Sequence, residues 1–117
     1  MNRNDFLFAT NNDEYRLNKN DGGKWIYDFT DLKNKKIIEF NGDMYHANPS
    51  LYKKGDNPHP FRKNITSEDI WKKDNEKIRV ANENGFEVLV IWDSDYRKKS
   101  KQNKELVIQK CIEFLNN

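Results

Sequence analysis

Lys24–His46, KWIYDFTDLKNKKIIEFNGDMYH, is the stretch that decides how this chain folds. Trp25, Tyr27 and Phe29 alternate with Ile26, Asp28 and Thr30, the period of two that sends successive side chains to opposite faces of a strand. Leu32-Lys33-Asn34-Lys35-Lys36 reads as a polar turn, and Ile37–Asn41 returns as the partner strand, with Glu39 and Asn41 on the face of Ile37. Asp28 on one strand, Glu39 on the next and His46 just beyond the following turn are thereby drawn together. Oxygen ligands for a hard divalent cation beside an imidazole base form a set suited to phosphodiester hydrolysis.

Downstream, Gly42–Asn64 holds two glycines, all three prolines and both histidines, which predicts an irregular connection. A loop of about 20 residues is uncommon inside a compact domain and often functional. Thr66-Ser67-Glu68-Asp69 then opens a helix, with Thr66 as the cap and Asp69 at the reciprocal position of a capping box. That helix is expected to reach Asn84 and to stop at Gly85, a residue suited to the left-handed conformation that ends helices. Val88–Trp92 is continuously apolar, as a strand covered on both faces must be. Strand, loop, helix and strand make a crossover unit, so Val88–Trp92 is predicted to run parallel to Ile37–Asn41. A last helix, Lys101–Leu115, carries Val107, Ile108, Cys111, Ile112 and Leu115 as the stripe predicted to pack on the sheet. Upstream, Phe6–Thr10 and Tyr15–Leu17 flank Asn11-Asn12-Asp13-Glu14 and read as a hairpin, followed by a turn at Asp21-Gly22-Gly23. The predicted class is α/β, a mixed sheet of about five strands flanked by helices.

With 117 residues the chain is expected to form one domain, residues 1–117. Apolar residues make up only 35% against 34% charged, so the core must come from the concentrated segments Trp25–Phe29, Ile37–Phe40 and Val88–Trp92. The net charge of +2, from 21 Lys and Arg against 19 Asp and Glu, selects no class of partner. The bases are clustered, however, at Lys33-Lys35-Lys36, Lys53-Lys54, Arg62-Lys63, Lys72-Lys73 and Arg97-Lys98-Lys99-Lys101-Lys104. Such clusters make local positive patches, or merely a solvated face. The single cysteine, Cys111, excludes an internal disulfide and a multi-cysteine zinc site. No apolar run has membrane-spanning length and the N-terminus lacks a signal-peptide pattern, so a cytoplasmic setting is expected.

Asp74 breaks the pattern of its helix. Ile70, Trp71, Ile78 and Ala81 define the apolar face, and Asp74 follows Ile70 by four, Trp71 by three and precedes Ile78 by four. A carboxylate on the covered side costs several kcal/mol unless it meets a cation, a donor or a metal-bound water. Buried carboxylates concentrate at functional sites, although a pairing with one of the many lysines would also satisfy it.

Taken together, Asp28-Phe29, Ile37-Ile38-Glu39-Phe40-Asn41-Gly42-Asp43-Met44-Tyr45-His46, Trp71 with Asp74, and Gly85–Trp92 resemble the very-short-patch-repair (Vsr-like) endonucleases and the related EDxHD homing endonucleases of phages and introns. Both groups belong to the PD-(D/E)xK nuclease superfamily. The resemblance runs from Trp25 to Trp92, and its specificity lies in the order and spacing of the pieces. It implies a restriction-endonuclease-like core and a metal-dependent DNA endonuclease of phage or mobile-element type, using Mg²⁺ or Mn²⁺. By the same resemblance Asp28 is a metal ligand, the Phe40 carbonyl joins the metal, His46 is the general base, and Asp74 orients His46 or binds a metal-held water. In the wider superfamily the acid of the second strand, here Glu39, is also a metal ligand. The lysine usual two positions later is Asn41 here, which leaves the base role to His46.

The chain departs from those relatives in two respects. They carry a glutamate on a helix ahead of the first strand, whereas here the nearest candidate, Glu14, falls beside a predicted turn. The chain is therefore expected to be part of a larger polypeptide or of a homodimer, or else a catalytically weak nuclease-fold module that binds DNA. The Cys and His ligands of the repair enzymes' structural zinc site are also missing, which favours the homing-type relatives. Lys53, Lys54, Arg62 and Lys63, in the loop after His46, are the expected contacts to DNA phosphates.

Overall fold

The run from Lys24 to Asp31 is two strands, not one, and the break falls at Asp28. In the computed structural model, which describes residues 6–8, 15–19, 21–97 and 101–117, the strands are β1 (Phe6–Phe8), β2 (Tyr15–Asn18), β3 (Lys24–Tyr27), β4 (Phe29–Asp31), β5 (Lys36–Asn41) and β6 (Glu87–Trp92). The helices are α1 (Ser67–Glu83), α2 (Asp93–Arg97) and α3 (Lys101–Leu115). The class is α/β, but the strands divide into a four-stranded sheet of order β1-β4-β5-β6 and a separate β2-β3 pair, instead of one sheet of five. The predicted hairpin between the two N-terminal runs is likewise replaced: β1 pairs antiparallel with β4, and β2 with β3.

Asp28 is the point where the chain leaves one sheet for the other, so the alternation shifts phase there. Trp25 and Tyr27 are buried while Ile26 is exposed, yet beyond Asp28 both Thr30 and Asp31 are buried. Asp31 is satisfied locally, its two carboxylate oxygens accepting from the Asn34 backbone at 3.2 Å and the Asn34 amide at 3.0 Å. This closes the turn into β5.

β4 and β5 are antiparallel, with Phe29 opposite Ile38, and β5 and β6 are parallel over six pairs from Lys36–Glu87 to Asn41–Trp92. The crossover between the parallel strands comprises the long loop and α1, as the sequence predicted. Thr66 caps α1, its hydroxyl accepting from Asp69 N–H and its own N–H donating to the Asp69 carboxylate. A cap of this kind contributes about 1 kcal/mol, and the Thr66 backbone N–H, with the hydroxyl beside it, holds the Asp69 carboxyl below the usual carboxylate range. Gly85, at φ +89°, ends the helix where a side chain would be strained.

Trp25, Tyr27, Ile37, Ala81 and Phe86 form the core, joined by the partly covered Tyr15, Leu17, Leu32, Val80 and Val88. Burial of aliphatic and aromatic side chains is worth about 2 kcal/mol each. α1 covers the face of Ile37 and Glu39, and α3 lies on the face of Lys36, whose buried ammonium sits 5.1 Å from the Phe114 ring centroid. Lys36 also bonds Glu87 at 2.6 Å across the first parallel pair.

Two expectations about burial need correction. β6 is not covered throughout: Ile91 is buried, but Val88, Leu89 and Val90 are only partly so. On α3, Ile108 and Ile112 are exposed, and the side chains turned inward are Val107, Cys111, Phe114 and Leu115. Partial burial pushes the Cys111 thiol above its usual range, against the pull of Lys110. The short helix α2, directly after β6, had no sequence signal beyond Asp93 and Asp95 in its first turn. Among the described residues no helix is long and apolar enough to cross a membrane.

Candidate active site

Extending the β4–β5 register by one residue brings Asp28 opposite Glu39. The two acids are interlocked through each other's backbone. Glu39 Oε1 accepts from Asp28 N–H at 2.9 Å, and Asp28 Oδ2 accepts from Phe40 N–H at 2.8 Å. Asp28 is partly exposed, while Glu39 is only 6% exposed. The predicted proximity of Asp28, Glu39 and the Phe40 backbone is therefore observed, with Asp28 on a bend instead of within a strand.

His46 is carried by the tight turn that leaves β5. Its N–H donates to Gly42 O at 3.0 Å, and Asn48 N–H donates to Asp43 O at 2.9 Å. Ala47, fully buried, adopts φ +49°, a left-handed conformation that costs a residue with a side chain on the order of 1 kcal/mol. Its carbonyl accepts from Trp71 Nε1 at 2.6 Å, which pins the turn to α1. One turn along that helix, Asp74 Oδ2 lies 2.9 Å from His46 Nδ1. A further turn along, Lys77 Nζ donates to Glu39 Oε2 at 2.7 Å.

One face of α1 thus makes all three connections. Trp71, Asp74 and Lys77 are spaced by three, and side chains three or four apart share a helix face. Tyr27 fixes the helix from below, its hydroxyl donating to Lys77 O at 2.8 Å and its ring lying 5.0 Å from the Lys77 ammonium. Tyr27, Glu39, Asn41, His46, Asp74 and Lys77 border a cavity of about 20 Å³. That is room for about one water molecule.

Lys77 is the functional candidate that the sequence reading missed. The signal was available, since Lys77 follows Asp74 by three on a face already identified as covered. The strand position read as vacant of lysine, Asn41, is buried beside it. Burial pushes the Glu39 carboxyl above the usual carboxylate range, and the Asp28 charge adds to that, while the Lys77 ammonium pulls it back. Burial, with Glu39 nearby, also raises the Tyr27 phenol well above its ordinary value.

Among the described residues no group of three or more His, Cys, Asp or Glu side chains is placed to hold a metal ion. Magnesium asks less of a protein: one or two carboxylates, with water and substrate phosphate completing the shell. Asp28 and Glu39 are two adjacent carboxylates whose mutual repulsion a cation would relieve, so their chemistry fits that minimal set.

Lys53, Lys54, Arg62 and Lys63 are all exposed on the loop between β5 and α1. Lys54 leans toward Glu68, at 3.7 Å. His59 organises this loop, its Nδ1 accepting from Phe61 N–H at 3.1 Å and Arg62 N–H at 3.0 Å, so it is structural. The Tyr45 ring stacks edge-on against His59 at 5.0 Å and lies 6.4 Å from Phe61. The segment carrying Arg62 and Lys63 is thereby tied to the turn that carries His46. Glu14 lies outside the described residues.

Comparison of the chain with protein-family models, curated proteins and solved structures finds no match.

Proposed function

We propose that this chain is a metal-dependent DNA endonuclease of the Vsr-like, PD-(D/E)xK type, cleaving phosphodiester bonds by hydrolysis. The observation that carries it is the convergence on one face of α1 of the His46–Asp74 pair and of Glu39, which in turn accepts from Asp28 N–H. An antiparallel β4–β5 pair, a parallel β5–β6 pair and the α1 crossover are compatible with the core such enzymes use.

Bound Mg²⁺ or Mn²⁺ would neutralise charge building on the phosphate and acidify a water. Asp28, Glu39 and the Phe40 carbonyl are the groups that would hold it. His46 Nδ1 is engaged by Asp74, which leaves Nε2 as the nitrogen to take the proton of the attacking water. Asp74 fixes the ring's orientation and offsets the charge the imidazole gains. Lys77 holds Glu39 in place and compensates its charge. Lys53, Lys54, Arg62 and Lys63 would neutralise backbone phosphates, giving affinity without sequence choice.

A second reading, a catalytically weak module that binds DNA, is favoured by one observation: both Glu39 oxygens already have partners. Plasmid nicking separates the two. The endonuclease is expected to nick supercoiled DNA in Mg²⁺ or Mn²⁺ and to lose this with Asp28→Ala or His46→Ala. Salt-sensitive DNA binding with no cleavage in either metal would leave only the weak module.

A further inference from the structure

We infer that the cleft at the carboxyl ends of β5 and β6 is a slot for an unstacked nucleobase, so that the preferred substrate is single-stranded or locally melted nucleic acid. The inference rests on the nucleic-acid reading above and goes beyond it by naming the state of the strand. The cleft has a volume of about 510 Å³, within the range of small-molecule sites. The polar cavity beside His46, at about 20 Å³, is too small to seat a base. In open α/β sheets ligands gather outside the carboxyl ends of parallel strands, and this cleft occupies that place.

Its lining is aromatic where a base would stack. Phe40, Tyr45 and Tyr96 border it and are each about half exposed, and Trp92 also lines it. Rings left exposed around a cleft suit a planar partner, because every base has a π-face. The polar wall points the same way: Asp43, whose Oδ1 accepts from the Asn48 amide, brings a carboxylate with a second oxygen, and a carboxylate repels a phosphate but accepts from exocyclic amines and ring N–H groups. Phosphates have their own partners next door, since Phe61 lies against Tyr45 and is followed directly by Arg62 and Lys63.

The cleft also adjoins the cleavage site through one residue. The Phe40 ring borders the cleft, and its backbone N–H holds Asp28. Bases stacked inside a duplex do not reach the floor of such a cleft, and an enzyme that uses one must take the base out of the stack.

The test uses the full chain in EDTA, so that no cleavage intervenes, and fluorescence anisotropy with two short single strands of equal length and charge. One carries all its bases, and the other has abasic sites in the middle. The intact strand is expected to bind roughly 10-fold more tightly. Tyr96→Ala should erase that difference and Tyr96→Phe, which keeps the ring, should preserve it. Equal binding of the two strands by the unmodified chain overturns the slot, as does a difference that survives Tyr96→Ala in full. Plasmid cleavage is scored separately: nicking without base-dependent binding overturns the slot alone, and base-dependent binding without nicking overturns only the endonuclease.

Discussion

Lys77 Nζ lies 2.7 Å from Glu39 Oε2, yet the Glu39 carboxyl titrates above the usual carboxylate range. Desolvation of a group only 6% exposed, helped by the Asp28 charge, outweighs the attraction of the ammonium. The native state thus holds the Glu39 proton to higher pH than the unfolded chain does. As pH rises from the ordinary value of 4.5 toward the raised native one, the unfolded chain ionises first and the fold loses stability. Glu39→Gln removes this dependence while its amide oxygen can still accept from Lys77. Urea unfolding at a series of pH values should show the variant gaining on the unmodified chain as pH rises through that window, with a flat difference below it. A difference that moves the other way would mean that the ion pair, not burial, governs Glu39.

The His46–Asp74 bond predicts unequal losses of cleavage. Removing the base with His46→Ala is expected to lower the nicking rate on the order of 10³-fold, the size of a general-base contribution. Asp74→Asn keeps a hydrogen-bonding partner but removes the carboxylate that orients the ring, and should cost about 10- to 100-fold. Circular dichroism should find both variants folded. Equal residual rates for His46→Ala and the unmodified chain would remove His46 from the chemistry.

Much of this arrangement was legible in the sequence because it depends on local rules. The cap at Thr66, the stop at Gly85 and the parallel run of β6 beside β5 follow from spacing and from the geometry of crossovers. Asp74 was found because it interrupts an apolar face. The split at Asp28 was not legible, since alternation is unbroken through Trp25–Thr30 and only long-range pairing, β3 to β2 and β4 to β1 and β5, separates the two sheets. Lys77 was overlooked for a related reason. Its partner Glu39 is 38 positions away, and although Lys77 shares the covered face of Asp74, nothing local names the acid it meets until the strand opposite is known.

Thr30 offers a test of the core that leaves the site alone. Its side chain is fully buried opposite Ile37, and among the described residues its hydroxyl has no hydrogen-bond partner. A buried unsatisfied polar group costs about 1–3 kcal/mol. Thr30→Val keeps the branched shape and removes the orphan, so the unfolding free energy should rise by roughly 1 kcal/mol. A loss of that size instead would reveal a partner for the hydroxyl, and cleavage should be unchanged either way.

Metal binding makes its own prediction, independent of cleavage. A ligand held only by the folded chain raises stability by about 2.7 kcal/mol at roughly one hundred times its Kd, which for a domain of this size is on the order of 10 °C in Tm. Mg²⁺ or Mn²⁺ should therefore raise Tm in a concentration-dependent way, whereas the same ionic strength of NaCl should not. Asp28→Asn should abolish the rise, because it removes one of only two carboxylates and leaves Glu39 committed to Lys77 and to the Asp28 backbone. Lys77→Met acts in the opposite sense. The variant starts less stable, having lost the cation that compensates Glu39, and should recover more Tm per millimolar metal, since the ion then replaces the missing ammonium. A rise that persists in Asp28→Asn would move the metal away from the β4–β5 junction and take the proposed chemistry with it.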